Sequence, residues 1–142
     1  MSDLSQTPAN VVKVGSATVM GGQPVGEAVI AGNCCYMDGN GNWFLARSNG
    51  NALQAGSGGL GVALSSGPGV GHPVSMFIGG TINLGATLTV GQIYCPSANA
   101  GRICVFDDLV TNSYVSILVV GKTSANGATP PSNMWASGVV HA

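Results

Sequence analysis

Gly26-Glu27-Ala28-Val29-Ile30-Ala31-Gly32 returns further along the chain as Gly85-Ala86-Thr87-Leu88-Thr89-Val90-Gly91, at an offset of 59. The two lines continue together. Cys34-Cys35-Tyr36 matches Ile93-Tyr94-Cys95, and after one inserted residue Gly41-Asn42-Trp43-Phe44-Leu45 matches Gly101-Arg102-Ile103-Cys104-Val105. Each copy reads glycine turn, apolar strand, polar turn, apolar strand. Two such units bury their apolar faces only against each other, which predicts one all-β body. Two imperfect copies are too few for a solenoid, which needs at least about three stacked units.

Outward from the repeat, strand signals are dense. The segments 26–30, 33–37, 42–47, 59–65, 73–78, 80–84, 87–95, 102–106, 114–121 and 134–140 read as strands. Turn chemistry separates them at Asp38-Gly39-Asn40-Gly41, Ser66-Gly67-Pro68-Gly69, Gly79-Gly80 and Asn126-Gly127. Short strands at this spacing predict an antiparallel β-sandwich over 25–142. Residues 1–24 differ in composition. Ser, Gln, Thr, Pro and Gly surround Val11-Val12-Lys13-Val14, and the segment reads as an extended N-terminal arm. Val11, Val12 and Val14 are the expected partner-binding residues of that arm, through strand addition at an exposed edge.

Charge is the compositional anomaly. Charged residues make up 6% of the 142 residues, against about 25% in typical domains. Without a basic patch, nucleic-acid binding lacks its electrostatic basis. Gly, Ser, Asn or Pro interrupts every apolar run short of the roughly 18 residues of a spanning helix, so no membrane span is expected. Met1-Ser2-Asp3-Leu4-Ser5 has neither the basic nor the apolar region of a signal peptide, and synthesis in the cytoplasm without export is expected. So few charges give weak self-repulsion, and much of the surface is expected to be covered in a permanent assembly. Met134 and Trp135 are the expected centre of an apolar oligomer interface. The remaining aromatics in strand segments, including Phe77 and Tyr94, are expected to pack in the core.

Several motifs imitate chemistry. Gly56-Ser57-Gly58-Gly59-Leu60-Gly61 fits G-x-G-x-x-G, but the strand-like Val62-Ala63-Leu64-Ser65 follows where a dinucleotide site needs a helix. Asp38-Gly39-Asn40-Gly41-Asn42 opens like a calcium loop, yet Trp43 and Asn49 stand where glycine and the bidentate glutamate belong. His72 and His141 lack zinc spacing, and no nucleophile motif is present. Asp107-Asp108 reads as turn chemistry rather than a carboxylate pair. Cys34, Cys35, Cys95 and Cys104 read as reduced, small apolar residues. No catalytic residue, cofactor or metal is therefore expected.

Ala9-Asn10-Val11-Val12, the Gly26–Gly32 run, Gly61-Val62-Ala63-Leu64-Ser65, Gly80-Thr81-Ile82-Asn83-Leu84-Gly85, Leu88-Thr89-Val90-Gly91-Gln92-Ile93-Tyr94 and Ala136-Ser137-Gly138-Val139-Val140 together resemble small capsid cement or decoration proteins of tailed bacteriophages. The resemblance covers nearly the whole chain, and its motifs are turns and strands. It implies a jelly-roll-like sandwich on the outer capsid surface, made in the bacterial host cytoplasm. It also implies binding to the major capsid protein and to itself as an oligomer; a homodimer is slightly preferred, as the commonest closed assembly, over a trimer. The four cysteines and Pro130-Pro131 depart from the pattern. The alternative is a receptor- or glycan-binding module of a head fibre or tail, which predicts exposed aromatics and Asn/Asp loops.

Overall fold

The computed structural model describes residues 3–51, 53–56, 59–109, 113–128 and 139–140. The fold is all-β, an antiparallel curled sheet of sandwich type compatible with a jelly-roll-like description, with no α-helix among the described residues. The strands are β1 (Val11–Pro24), β2 (Cys34–Met37), β3 (Trp43–Leu45), β4 (Leu60–Ala63), β5 (Pro73–Leu84), β6 (Ile93–Pro96), β7 (Ile103–Val105), β8 (Tyr114–Val115), β9 (Val119–Gly121), β10 (Asn126–Ala128) and β11 (Val139–Val140). The main sheet runs β3-β2-β4-β5-β10-β9-β6-β7, with β1 paired to β5, while β8 and β11 form a separate pair.

The repeat seen in the sequence is longer in space. Cys35 faces Leu45 across β2–β3, and Tyr94 faces Val105 across β6–β7; Tyr36 faces Phe44, and Cys95 faces Cys104. The correspondence continues into a third strand. Gly32 donates its N–H to the Ala63 carbonyl and Ala63 to the Asn33 carbonyl. In the second copy Gly91 donates to Gly121 and Gly121 to Gln92. Strands β4 and β9 are therefore counterparts.

Strand β5 belongs to both copies. Val62 and Ala63 pair with its first half at Phe77 and Met76, whereas β10 pairs with its second half at Thr81–Asn83. The strand passes from one copy to the other at Gly79-Gly80, so the two strands expected at 73–78 and 80–84 are one. Opposite this point β1 sets three residues, Gly15, Ser16 and Ala17, against the single Gly80, a bulge that lets the ribbon bend.

The copies do not meet with like faces. Val25, Val29, Cys35 and Trp43 of the first copy share a core with Ala63, Val74 and Met76. Their counterparts Leu84, Leu88, Tyr94 and Ile103 pack instead against Cys34, Ala46, Leu60, Val62 and Phe77, from the opposite face of the first copy. The reverse face of the second copy, Cys95 and Cys104, lies under Leu109 and Val115. The body is thus a head-to-tail stack. This explains why Leu60-Gly61-Val62-Ala63 is buried at every position: β4 has apolar layers on both faces, as its continuous apolar run requires. The turn between β6 and β7 closes the curl, because Gly101 donates to the Ala46 carbonyl and Ser48 to the Ser97 carbonyl.

Other expected elements differ as well, the 114–121 strand being broken into β8 and β9. The 26–30 segment forms a single bridge, Val29 to Gly67, beside the Val25 to Trp43 bridge just before it, and folds over the face of its own copy. Within 87–95 only the end, from Ile93, is strand. Asn126-Gly127, expected as a turn, lies in β10. Gly127 is there because the strand runs close over the core: a Cβ would come within 2.7 Å of a Val119 methyl.

Candidate functional site

Among the described residues, strand β1 presents the longest unpaired strand edge. It is 14 residues long, pairs along one edge with β5, and among the described residues has no strand on the other edge. Within the segment expected to be an extended arm, Val11–Pro24 is extended after a 3-10 turn at Pro8–Asn10, but it is not free. Val11, Val12, Lys13 and Val14 pair with Leu84, Asn83, Ile82 and Thr81. The strand addition expected between arm and partner is made within the chain.

That pairing divides the three candidate valines. Val11 is buried in the central core and is unavailable to a partner, which corrects its expected role. Val14 is half-buried, and Val12 is 51% exposed. Val19, which sequence reasoning passed over, is exposed as well. Val12 and Val19 line one open groove with Lys13, Ala17 and Leu64 along β1. Met134 and Trp135, the candidate oligomer contacts, lie outside the described residues.

The first residues pin this edge in place. Asp3 bridges to Cys104 on β7, and Leu4 donates its N–H to the Ile103 carbonyl. The Asp3 carboxylate accepts from Ser97 Oγ and from Asn99 Nδ2. Gln6 Nε2 donates to the Gly32 carbonyl at 3.0 Å and to the Leu84 carbonyl at 2.9 Å, so one side chain holds both copies.

The chemical mimics resolve as turns. Asp38 Oδ1 accepts from the Asn40 and Asn42 amides and closes the β2–β3 hairpin. Leu60–Ala63 is strand, not helix, after the glycine run. His72 is exposed in the turn before β5. Residues Phe106–Asp108 form a single 3-10 turn closed by the Leu109 N–H on the Phe106 carbonyl. All four cysteines are free and buried. Burial pushes the Cys34 and Cys35 thiols well above their ordinary value. Burial, then the neighbouring Cys104, pushes Cys95 up to about 12. Burial, then Asp3 and Asp108, pushes Cys104 up to about 12. Such thiols are poor nucleophiles and poor metal ligands. Among the described residues no group of His, Cys, Asp or Glu is placed to hold a metal ion, and no helix is long and apolar enough to cross a membrane.

Comparison of the chain with protein-family models, with curated proteins and with solved structures finds no match.

Proposed function

We propose that this chain is a structural virion protein, a cement or decoration protein of a tailed bacteriophage. It binds the outer surface of the major capsid protein lattice and stabilises the mature head. The observation that carries the reading is the open edge of β1: a row of backbone donors and acceptors flanked by the exposed Val12 and Val19. Such an edge is a liability in isolation and is covered in a working state. An extended capsid segment that adds to it gains main-chain hydrogen bonds, with pockets beside it for alternate side chains. The low charge and the family resemblance point the same way. The mechanism is thermodynamic and needs no catalytic residue. A protein that binds only the assembled shell stabilises the shell by mass action, and self-association, as a dimer or a trimer, multiplies weak footprints.

Immunogold labelling of purified virions tests the proposal. Regular label over the heads is the expected result. Label confined to tails or fibres favours the receptor-binding alternative, and absence of label from virions overturns both.

A further inference from the structure

The β2–β3 hairpin carries a second constellation that plays no part in the β1 edge. Tyr36 and Phe44 face each other across the hairpin and stack, with ring centroids 5.9 Å apart at 25°. Both rings are half-buried. Phe44 lies over Gly26, where a Cβ would enter the ring. That contact brings Glu27 alongside, and Glu27 Oε2 accepts from the Leu45 N–H at 3.0 Å. After β3 the chain loops out and returns: Arg47 donates its backbone N–H to the Gln54 carbonyl, and its Nε faces Gln54 Oε1 at 3.4 Å. Glu27, Tyr36, Phe44, Arg47 and Gln54 line one recess of about 370 Å³, within the roughly 300–1,000 Å³ of small-molecule sites.

The second copy of the repeat serves as an internal control. The counterparts of Glu27, Tyr36, Phe44 and Arg47 are Ala86, Cys95, Cys104 and Asp107. The hairpin register is the same. The fold therefore makes this hairpin without an aromatic pair at the facing positions, a carboxylate at the Glu27 position or a guanidinium at the Arg47 position. In the second copy the thiol pair is covered by the chain itself, through Leu109 and Val115. In the first copy the aromatic pair stays partly open. The whole chain holds only 4 basic and 5 acidic residues, and one of each sign converges on the stacked pair.

We infer that this recess binds a neutral saccharide unit of the pyranose type. Such a ring presents an apolar C–H face and a rim of hydroxyls. An aromatic edge or face takes the first. A carboxylate acceptor, a planar guanidinium with five donors and an amide that is both donor and acceptor take the second. One acid and one base leave the recess without net charge, which suits an uncharged ligand. The site is independent of the capsid reading, because none of its residues belongs to β1.

The test is nuclear magnetic resonance on the full-length protein titrated with maltotriose, cellotriose and the fully N-acetylated chitotriose in turn. At least one should shift the amides of Tyr36, Phe44 and Arg47 saturably in the millimolar range. Arg47→Ala and Glu27→Gln should each weaken that binding about tenfold, as loss of a charged hydrogen bond does. Glu27→Gln retains a carbonyl oxygen for the Leu45 amide, so the fold is kept. Asp107→Ala, at the counterpart position, should leave binding unchanged. Overturning results are the absence of shifts at these amides with all three sugars, or shifts that survive undiminished in Arg47→Ala. Neither result bears on the location of the protein in virions.

Discussion

Gly80 sits directly against the backbone of Ala17: a Cβ on Gly80 would come within 2.9 Å of the Ala17 Cα. This is the point where β5 leaves one copy for the other and β1 bulges to follow it. Gly80 also has φ +104, a conformation that side chains rarely adopt. Gly80→Ala should therefore cost roughly 2–4 kcal/mol, from strain and from the forced separation of β1. In a domain of this size the thermal midpoint should fall by about 6–12 °C. Gly79→Ala is the control. Nothing lies within 4 Å of its Cβ direction, and its effect should be much smaller. Equal midpoints for both variants would show that the close approach is unimportant.

Gln6 is the tie between the copies. Gln6→Ala removes both donors and strands the Gly32 and Leu84 carbonyls, at a cost of about 1–3 kcal/mol. Hydrogen exchange should then accelerate at Leu4 and Thr7, whose amides bond to Ile103 and Gly85. The amides of β4 should keep their protection under native conditions. Unchanged exchange at Thr7 would refute the pinning role.

The outer edge of β1 should be separable from folding. Val12→Lys and Val19→Lys place charges on exposed positions, where substitutions typically change stability by less than about 0.5 kcal/mol. Together they should reduce co-sedimentation with purified heads while leaving the unfolding curve in place. Deletion of residues 1–20 is a different experiment. It removes Val11 from the core and strips most of β5's partner strand, so the body itself should unfold. Undiminished head binding by the double lysine variant would place the capsid contact elsewhere.

The four thiols should make the protein sensitive to alkali. Burial raises their folded-state values above the ordinary thiol value of about 8.5, with Cys95 and Cys104 near 12. Between those limits the unfolded chain has lost these protons and the folded chain still holds them. Stability is thus complete below the unfolded value and falls as pH rises from about 9 toward 12. Denaturant midpoints measured across that range should decline, and a variant with Cys95→Ser and Cys104→Ser should decline less steeply. Native protein at pH 8 should also resist alkylation by iodoacetamide until denaturant is added. Rapid native alkylation would show that the thiols are accessible.

Much of the fold was legible because turn chemistry and apolar runs are local. The β2–β3 and β6–β7 hairpins lie within the matched segments of the repeat, and Asp38-Gly39-Asn40-Gly41 closes the first of them. The continuation of the repeat into β4 and β9 was not legible. Leu60-Gly61-Val62-Ala63 and Leu118-Val119-Val120-Gly121 share Leu and Val at two of four positions, a match too short to stand out among apolar runs, and their bonds to Asn33 and Gln92 reveal the equivalence. The fate of the first residues was also hidden. A valine run flanked by Pro and Gly reads the same whether its partner strand is another molecule or β5. The recess at Tyr36 was missed for a related reason. Aromatics in strands are usually core, and the register that puts Tyr36 opposite Phe44 at a partly open rim depends on neighbours distant in sequence. Asn126-Gly127 was misread because a glycine demanded by close packing looks identical to one demanded by a turn.

The head-to-tail order of the two copies has an evolutionary corollary. A pair packed by like faces is closed, since each copy uses up the only surface the other offers. A stack joined by unlike faces is open-ended in design: the surface one copy presents upward is the kind its neighbour accepts from below. Among the described residues capping pieces stop it here, with Leu109 and Val115 at one end and the overlay of Val25 and Val29 at the other. A gene carrying a further unit of this length at the Gly79-Gly80 junction would already possess both faces needed to seat it. The two copies, held in different layers, are also released from matching one another, which is why a stacked aromatic pair and a pair of thiols can occupy the same place in the same hairpin.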